Sequence, residues 1–205
     1  MENSQVKIAV LVSGGGTNLG ALIKAQESGI IKSGRIELVI SNKADAFALT
    51  RAERAGIKKE VVLKKELGSQ EAFEGKIIEL LEDNSIDIIV LAGFMAILSE
   101  NFTSKYPNRI INVHPSLIPA FCGKGFYGLT PHIKALEYGV KVTGATVHFV
   151  NEIPDGGQII MQKAVNIRPS DTPETLQKRV MKLAEWKILP LSVEKVCSEI
   201  IEKRG

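Results

Sequence analysis

The sequence predicts a doubly wound α/β fold in a single domain spanning residues 1–205. Three observations support this prediction. Short apolar runs rich in β-branched residues alternate with helical patterns along the first half of the chain, which is typical of a parallel sheet covered by crossover helices. A glycine-rich turn follows the first run, and a long helical pattern occupies the carboxyl-terminal part. A length of 205 residues suits one such domain.

Five apolar runs are predicted to form parallel strands. They are Lys7 to Val12, Ile36 to Ile40, Lys59 to Leu63, Asp87 to Leu91 and Arg109 to Val113. The first is apolar on both faces, as expected for a strand buried between two helix layers. It runs into Ser13-Gly-Gly-Gly-Thr-Asn18, after which we expect a helix from Asn18 to about Ser28.

The pattern changes after the fifth strand. The Gly/Pro-rich stretch from Pro115 to Pro131 is predicted to be a loop of functional length, and a short helix is expected over His132 to Tyr138. Ala145 to Val150 and Gln158 to Ile167 are predicted to form an antiparallel hairpin, joined through the turn sequence Pro154-Asp-Gly-Gly157. The sheet is therefore expected to be mixed at this edge.

The last segment predicts a long helix. Asp171-Thr-Pro-Glu174 supplies an N-cap, a proline in the first turn and an acidic residue where the helix dipole favours it. The helix is expected to reach about Leu189, and Pro190 is predicted to kink or interrupt it before a second helical piece. The prediction as a whole is a mostly parallel, Rossmann-like sheet with an antiparallel edge hairpin and a long C-terminal helix.

Composition excludes several classes of protein. The chain is 44% hydrophobic and 24% charged, which is ordinary for a globular protein, and its net charge of +3 is too balanced to indicate a nucleic-acid or membrane surface. Cys122 and Cys197 form no disulfide framework and lack zinc-site spacing, so we expect no metal and a cytoplasmic location. The apolar run near the amino terminus is too short for a signal peptide or a membrane span.

The glycine loop after the first strand is the first candidate site. Consecutive backbone N–H groups of Gly14, Gly15 and Gly16 at a helix N-terminus can bind a phosphate, and Thr17 and Asn18 can add side-chain donors. The loop does not fit GxGxxG and has no Walker lysine, which disfavours a dinucleotide site. A merely tight strand-to-helix turn remains the alternative.

Asn112 and His114 form the second candidate site, at the carboxyl end of the fifth strand. Two residues apart on a strand, their side chains leave the same face, so that an amide and an imidazole converge. Such a pair can stabilise an oxyanion and donate a proton. The alternative is a hydrogen-bonded core histidine.

Asp155 is the third candidate, in the turn of the hairpin. A carboxylate beside His114 would favour the imidazolium and raise the pKa of His114. Pro-Asp-Gly is equally an ordinary turn sequence.

His148 shares a strand face with Thr146, and we interpret it as a hydrogen-bonded histidine with at most a supporting role. His132 is assigned no role.

These segments closely resemble the phosphoribosylglycinamide formyltransferase family, whose members use 10-formyltetrahydrofolate in purine biosynthesis. The most specific motifs are VLVSGGGTNL, SNKADAFAL, LAGFMAIL, INVHPSLIPAF, GATVHFV and PDGGQII. The resemblance covers nearly the whole chain. It implies that Asn112, His114 and Asp155 are catalytic, with Asp155 holding His114 charged and assisting proton transfer through a water.

The resemblance also implies binding residues. Gly16, Thr17 and Asn18 would contact the substrate phosphate. Lys182 and Glu185, three apart and hence on one helix face, would close the other side of that site. The co-substrate 10-formyltetrahydrofolate would be bound by two segments, formed by Met95, Ala96, Ile97 and Leu98 and by Asn151, Glu152, Ile153, Pro154 and Asp155.

Two departures from the family stand out. Some members carry an arginine near the glutamate tail of the folate where this chain has Gln70, and the stretch Cys122 to Gly128, which includes Lys124, lengthens the loop after HPSLIP.

We expect the partners of this chain to be small-molecule substrates, and we expect no binding to nucleic acid or membrane. The chain is expected to be a monomer or a weak homodimer.

Three alternatives to this function are considered. A methionyl-tRNA formyltransferase and a formyltetrahydrofolate hydrolase would share the Asn, His and Asp, but both normally carry an extra domain for which this chain has no room. A non-catalytic folate- or nucleotide-binding module would have no reason to keep the three polar residues together.

Overall fold

The computed structural model describes residues 5–204, so residues 1–4 and 205 of the predicted domain lie outside the described part. These residues form one sheet of seven strands in the order β3-β2-β1-β4-β5-β6-β7. The strands are β1 (Val6–Val12), β2 (Gly34–Ser41), β3 (Lys58–Val61), β4 (Ile88–Leu91), β5 (Ile110–His114), β6 (Val142–Phe149) and β7 (Ile159–Asn166).

The strand directions confirm the predicted mixed sheet. β1 to β5 pair in parallel, whereas β6 is antiparallel to both β5 and β7. β1 lies between β2 and β4, so the strand order reverses at β1, and the glycine loop leaves the sheet at this point. Open α/β sheets bind ligands at such a reversal.

Helices cover both faces of the sheet. They are α1 (Thr17–Glu27), α2 (Phe47–Arg54), α3 (Lys64–Leu67), α4 (Gln70–Asp83), α5 (Glu100–Thr103), α6 (Thr130–Tyr138), α7 (Pro173–Val180) and α8 (Trp186–Arg204). One apolar cluster joins the sheet to α1, α2, α7 and α8, and a second joins its other face to α4 and α5. β1 contributes to both clusters through alternate residues, as its apolar sequence predicts. Among residues 5–204, no helix is both long and apolar enough to cross a membrane.

The carboxyl-terminal helix begins as predicted but continues differently. The Thr172 side chain accepts a hydrogen bond from the Thr175 N–H in a capping box, and Pro173 occupies the first turn. The predicted interruption of the helix at Pro190 is wrong, because Pro190 lies inside α8, whereas the predicted kink there stays a prediction. The irregularity lies upstream, in a π-helical turn over Met181–Glu185.

The packing of α8 explains why Pro190 does not end the helix. A proline inside a helix lacks the N–H for one hydrogen bond, and its ring crowds the carbonyl four residues earlier. Leu189 and Val193, on either side of it, are both completely buried in the cluster beneath the sheet. The wider π-helical turn directly before α8 accommodates the local change in hydrogen bonding.

Candidate active site

Asn112 and His114 lie on the same face of β5, as predicted. Ile111 and Val113 point into the cluster below α1 and α8, whereas Ile110 packs into the cluster with α4. Strand alternation therefore places Asn112 and His114 on the side of Ile110. His114 is 4% exposed, so its imidazole sits in a largely water-free position at the end of the strand.

His148 faces this pair from the neighbouring antiparallel strand. The register sets His148 directly opposite Asn112, and the Asn112 amide nitrogen lies 3.2 Å from His148 Nε2. His148 Nδ1–H donates to the Phe149 carbonyl at 2.8 Å, and Nε2 faces both the Asn112 amide and the Asp155 carboxylate. His148 is thus hydrogen-bonded, as interpreted, and it also orients Asn112.

Asp155 reaches the two imidazoles from the turn between β6 and β7. Its Oδ2 lies 3.4 Å from His114 Nδ1, and its Oδ1 lies 3.5 Å from His148 Nε2. Oδ2 also accepts a hydrogen bond of 2.8 Å from the Gly123 N–H, and the Asp155 backbone is left-handed at φ 57°. The turn leaves the sheet beside the start of β5, so it folds back over the strand face to bring this carboxylate to His114.

The pKa of Asp155 is lowered by its neighbours. Burial is the largest influence and raises it. Contact with His148, the charge of His114 and the Gly123 N–H together outweigh burial, so the net pKa lies below the ordinary value. Asp155 is therefore a carboxylate, and it supplies negative charge to both histidines.

The pKa of His114 departs from the prediction. Burial lowers it most strongly, and although Asp155 and the Phe121 carbonyl raise it, the net pKa is below 6.5. The predicted influence of Asp155 has the right direction, but the predicted net rise is wrong because desolvation of the imidazolium is larger. His114 Nε2–H donates to the Phe121 carbonyl at 2.9 Å, so both ring nitrogens face acceptors.

His132, on α6, is a further buried imidazole close to His114. Neither of its ring nitrogens has a hydrogen-bond partner among the described residues. Burial, with a smaller contribution from the charge of His114, lowers the pKa of His132 to about 4. His132 is therefore neutral at pH 7.

The glycine loop packs tightly against α2. Gly16 has a left-handed backbone at φ 65°, and a Cβ atom there would lie 2.6 Å from the Ala48 Cβ. The Ala48 N–H donates to the Gly14 carbonyl at 3.0 Å. The loop thus needs glycine for a tight turn, and it also ends at the N-terminus of α1, where anions bind favourably.

Asn18 and Glu185 meet beside this loop. The Asn18 amide nitrogen donates to Glu185 Oε2 at 2.8 Å. Glu185 is 6% exposed, and its burial raises its pKa to about 7, opposed by the hydrogen bond from Asn18. The Asn18 carbonyl oxygen is buried and has no donor among residues 5–204. Asn18 Oδ1 is thus a buried polar side-chain atom that the described residues leave unsatisfied.

Lys182 does not share a face with Glu185. Lys182 is exposed, whereas Glu185 is buried. The prediction assumed α-helical geometry, but both residues belong to the π-helical turn, whose hydrogen bonds run over five residues and widen the turn. Residues three apart are therefore displaced around the helix.

The predicted co-substrate segment Met95 to Leu98 lies between β4 and α5. The Met95 N–H donates to Ser13 Oγ at 2.7 Å, and the Ile97 carbonyl accepts from Gln70 at 3.0 Å. The side chains of Met95 and Ile97 are exposed. Sequence reasoning missed Ser13, which ties this segment to the glycine loop and is distinguishable only by its position between β1 and Gly14.

The second predicted co-substrate segment, Asn151 to Asp155, is a tight turn. Asn151 Oδ1 accepts from the Ile153 N–H at 3.0 Å, and the Ile153 carbonyl accepts from Gly156 at 2.9 Å. Ile153 is exposed. In the lengthened loop, Lys124 is exposed, whereas the Cys122 thiol donates to the Pro119 carbonyl at 3.3 Å.

The doubly wound sheet brings an amide, two imidazoles and a carboxylate together over one face of β5 and β6, and such groups can stabilise an oxyanion and move a proton. The chain belongs to the formyl transferase family, which it matches over residues 6–193 under the description "Formyl transferase".

Named relatives are similar over most of the chain. A phosphoribosylglycinamide formyltransferase from Haemophilus influenzae is 43% identical over 92% of this chain and 85% of its own length. The solved structure of glycinamide ribonucleotide transformylase 1 from Symbiobacterium toebii has a TM-score of 0.89 and 39% identity, covering 97% of this chain and 90% of that chain.

Longer relatives also match. The trifunctional purine biosynthetic protein adenosine-3 of Homo sapiens is 46% identical over 98% of this chain. This chain spans 19% of its length, so the similarity concerns one part of that protein.

Proposed function

We propose that this chain transfers the formyl group of 10-formyltetrahydrofolate to the amine of glycinamide ribonucleotide in purine biosynthesis. The products are formylglycinamide ribonucleotide and tetrahydrofolate. The observation that carries the proposal is the convergence of Asn112, His114 and Asp155 on one face of β5. The relatives match this chain over most of its length and in its fold. Their names support glycinamide ribonucleotide as the acceptor.

Asn112 and His114 stabilise the tetrahedral intermediate in this proposal. The acceptor amine attacks the formyl carbon, a new C–N bond forms, and negative charge develops on the formyl oxygen. One N–H of Asn112 is used by His148, so the other is free for this oxygen. His114 Nε2–H already donates to a carbonyl oxygen, that of Phe121, at 2.9 Å. The formyl oxygen takes the place of that acceptor.

The charge that develops during the reaction favours the imidazolium form of His114. Burial lowers the pKa of His114 before substrate binds, whereas an oxyanion next to Nε2 raises it. Asp155, which is itself ionised, raises it from the Nδ1 side. His114 therefore holds a proton most strongly when the intermediate needs one, which is the condition for differential stabilisation.

Asp155 also directs the proton that the reaction must move. The attacking amine loses one proton, and the nitrogen of the folate gains one as its bond to the formyl carbon breaks. A water beside the Asp155 carboxylate carries this proton, and the negative charge of Asp155 favours its transfer.

The acceptor is bound at the start of α1. Gly16, Thr17 and Asn18 contact its phosphate, where N–H groups and the helix dipole favour an anion. Glu185 accepts hydrogen bonds from its hydroxyl groups. Because the Lys182 side chain is exposed, we propose it only as a contact at the rim.

The co-substrate binds along two segments. The backbone of Met95 to Leu98 and of Asn151 to Asp155 binds the pterin, and the exposed side chains of Met95, Ile97 and Ile153 supply apolar contacts for its flat ring. We further propose that the chain binds small molecules alone and acts in the cytoplasm. It does so as one domain, in a monomer or weak homodimer.

A steady-state assay tests the function. Purified protein with both substrates is expected to release tetrahydrofolate in amounts equal to formylated acceptor. Release without an acceptor would indicate a hydrolase, and formylation of neither this acceptor nor any other phosphorylated amine would sink the proposal. His114→Ala is expected to abolish turnover while folate binding stays measurable; loss of folding would instead indicate a core histidine.

A further inference from the structure

Helix α2 donates hydrogen bonds to two carbonyl groups on the outer side of the glycine loop. The Ala48 N–H donates to the Gly14 carbonyl at 3.0 Å, and Arg51 Nε–H donates to the Gly15 carbonyl at 2.8 Å. In a trans peptide the carbonyl and the following N–H point in opposite directions. The N–H groups of Gly15 and Gly16 are therefore directed away from α2.

These two N–H groups are available to a ligand. Neither donates to an acceptor anywhere in residues 5–204. They stand immediately before the first turn of α1, where the helix dipole adds positive potential. Consecutive N–H groups in this arrangement bind anionic oxygens, provided the peptides that carry them keep their orientation.

The Arg51 side chain is itself held in place. Its guanidinium carbon lies 5.1 Å from the centre of the Phe47 ring, within the range of a cation–π interaction. Its Nη1 atom lies 3.4 Å from the position a Cβ atom would take on Gly20, so the side chain runs along the loop to the first turn of α1. Within the described chain it forms no ion pair with an acidic residue.

We propose that Arg51 is a positioning residue for the phosphate of the acceptor. By fixing the Gly15 carbonyl, Arg51 keeps the N–H groups of Gly15 and Gly16 aimed at the phosphate without touching it. This inference rests on the proposed function, because that function supplies the phosphorylated acceptor. The effect of Arg51 on phosphate binding comes from its hydrogen bond with the Gly15 carbonyl rather than from its positive charge alone.

The kinetic signature of this role differs from that of a general structural role. The phosphate does not take part in the bond changes, so weaker phosphate binding raises the KM for the acceptor and leaves kcat nearly unchanged. Arg51→Gln is expected to raise this KM roughly 10- to 100-fold, as the loss of a charge-assisted hydrogen bond implies. The KM for formylfolate is expected to stay the same.

Two further variants separate the hydrogen bond from other effects. Arg54→Gln is the matched control, because Arg54 lies on the same helix with its guanidinium carbon 6.0 Å from the same ring but has no hydrogen bond to the loop. It is expected to leave the acceptor KM unchanged. Arg51→Lys keeps the charge and lacks the Nε–H, so it is expected to lose most of the same affinity.

The experiment combines these kinetics with a titration by inorganic phosphate, followed through the amide NMR signals of Gly15 and Gly16. Wild type is expected to show saturable shifts at both amides, and Arg51→Gln and Arg51→Lys to show weaker binding. Three results would each overturn the inference. They are an unchanged acceptor KM in Arg51→Gln, wild-type phosphate affinity in Arg51→Lys, and a fall of both kcat and thermal stability in Arg51→Gln.

The same experiment distinguishes its failure from that of the proposed function. If wild type turns over glycinamide ribonucleotide but Arg51→Gln behaves like wild type, only the inference fails. If wild type has no activity, the proposed function fails, and the phosphate titration still decides whether Arg51 orients the loop.

Discussion

At the scale of single residues, the site combines what strand alternation dictates with what a distant turn adds. Asn112 and His114 were predictable because two residues on one strand must share a face. The contact between Asp155 and His114 was not, since the left-handed turn that carries Asp155 folds back over the strand from its opposite end. The pKa of His114 escaped prediction because sequence does not give the extent of burial.

Asp155→Asn tests the electrostatic role of the carboxylate. Asp155 raises the pKa of His114, so its neutralisation lowers that pKa further, and the limb of the pH–rate profile that reflects loss of the imidazolium is expected to move to lower pH. Turnover is expected to fall by roughly 100- to 10,000-fold. Asp83→Asn, at the exposed end of α4, is the control. An unchanged pH profile would remove Asp155 from the mechanism.

His148→Ala tests whether His148 acts through its neighbours. Loss of the contact with the Asn112 amide and of the contact with Asp155 is expected to reduce kcat on the order of 10- to 100-fold by misplacing both groups. A double-mutant cycle with Asp155→Asn measures the coupling. Part of the effect of His148 depends on its contact with the Asp155 carboxylate, so His148→Ala is expected to reduce kcat less in the Asp155→Asn background. Additive effects of the two changes would contradict this role.

At the scale of elements, hydrophobic pattern was sufficient for the sheet and insufficient for the last helix. Four largely buried strands, the exposed edge strand β3 and a hairpin with a Pro-Asp-Gly-Gly turn form the mixed sheet that the apolar runs predict. The π-helical turn at Met181–Glu185 leaves no local signature in composition. The prediction for Lys182 and Glu185 assumed α-helical geometry, so their positions around the helix were mispredicted.

Gly16→Ala tests the loop between β1 and α1. The left-handed backbone and the approach of Ala48 are expected to cost about 2 kcal/mol of unfolding free energy, measured by urea denaturation. Gly15→Ala is the matched control for stability, because its Cβ would meet nothing within 4 Å and its φ is not left-handed. Equal stability of the two variants would show that the loop can shift to accept a side chain.

At the scale of the whole molecule, Asn18 and Glu185 join parts of the chain that are 167 residues apart. The resemblance implied that both contact substrate, whereas their mutual hydrogen bond depends on how α1 and the turn before α8 pack across the same face of the sheet. No local pattern encodes such a contact. The burial of a carboxyl group at this junction makes the stability of the protein depend on pH.

Glu185→Gln tests that dependence. The folded protein keeps the Glu185 proton up to pH about 7, whereas the unfolded chain loses it near the ordinary value of 4.5, so the contribution of Glu185 to the free energy of unfolding falls as the pH rises between these values. The lowered pKa of His132 contributes a change of opposite sign over much of the same range. The amide does not titrate, and Glu185→Gln is expected to abolish this fall, a gain on the order of 3 kcal/mol at pH 8.

Urea denaturation at several pH values measures the effect. Glu202→Gln, exposed near the end of α8, is expected to keep the pH dependence of wild type. Equal pH dependence of wild type and Glu185→Gln between pH 4.5 and 7 would show that Glu185 is ionised throughout this range.

The hydrogen bond between Asn18 and Glu185 also sets an order in time. A ribosome makes the glycine loop and α1 early, but the carboxylate that completes this corner emerges only after nearly the whole sheet. We therefore expect a nascent chain to acquire acceptor binding last, when residue 185 has cleared the exit tunnel, and chains stalled at increasing lengths can show this.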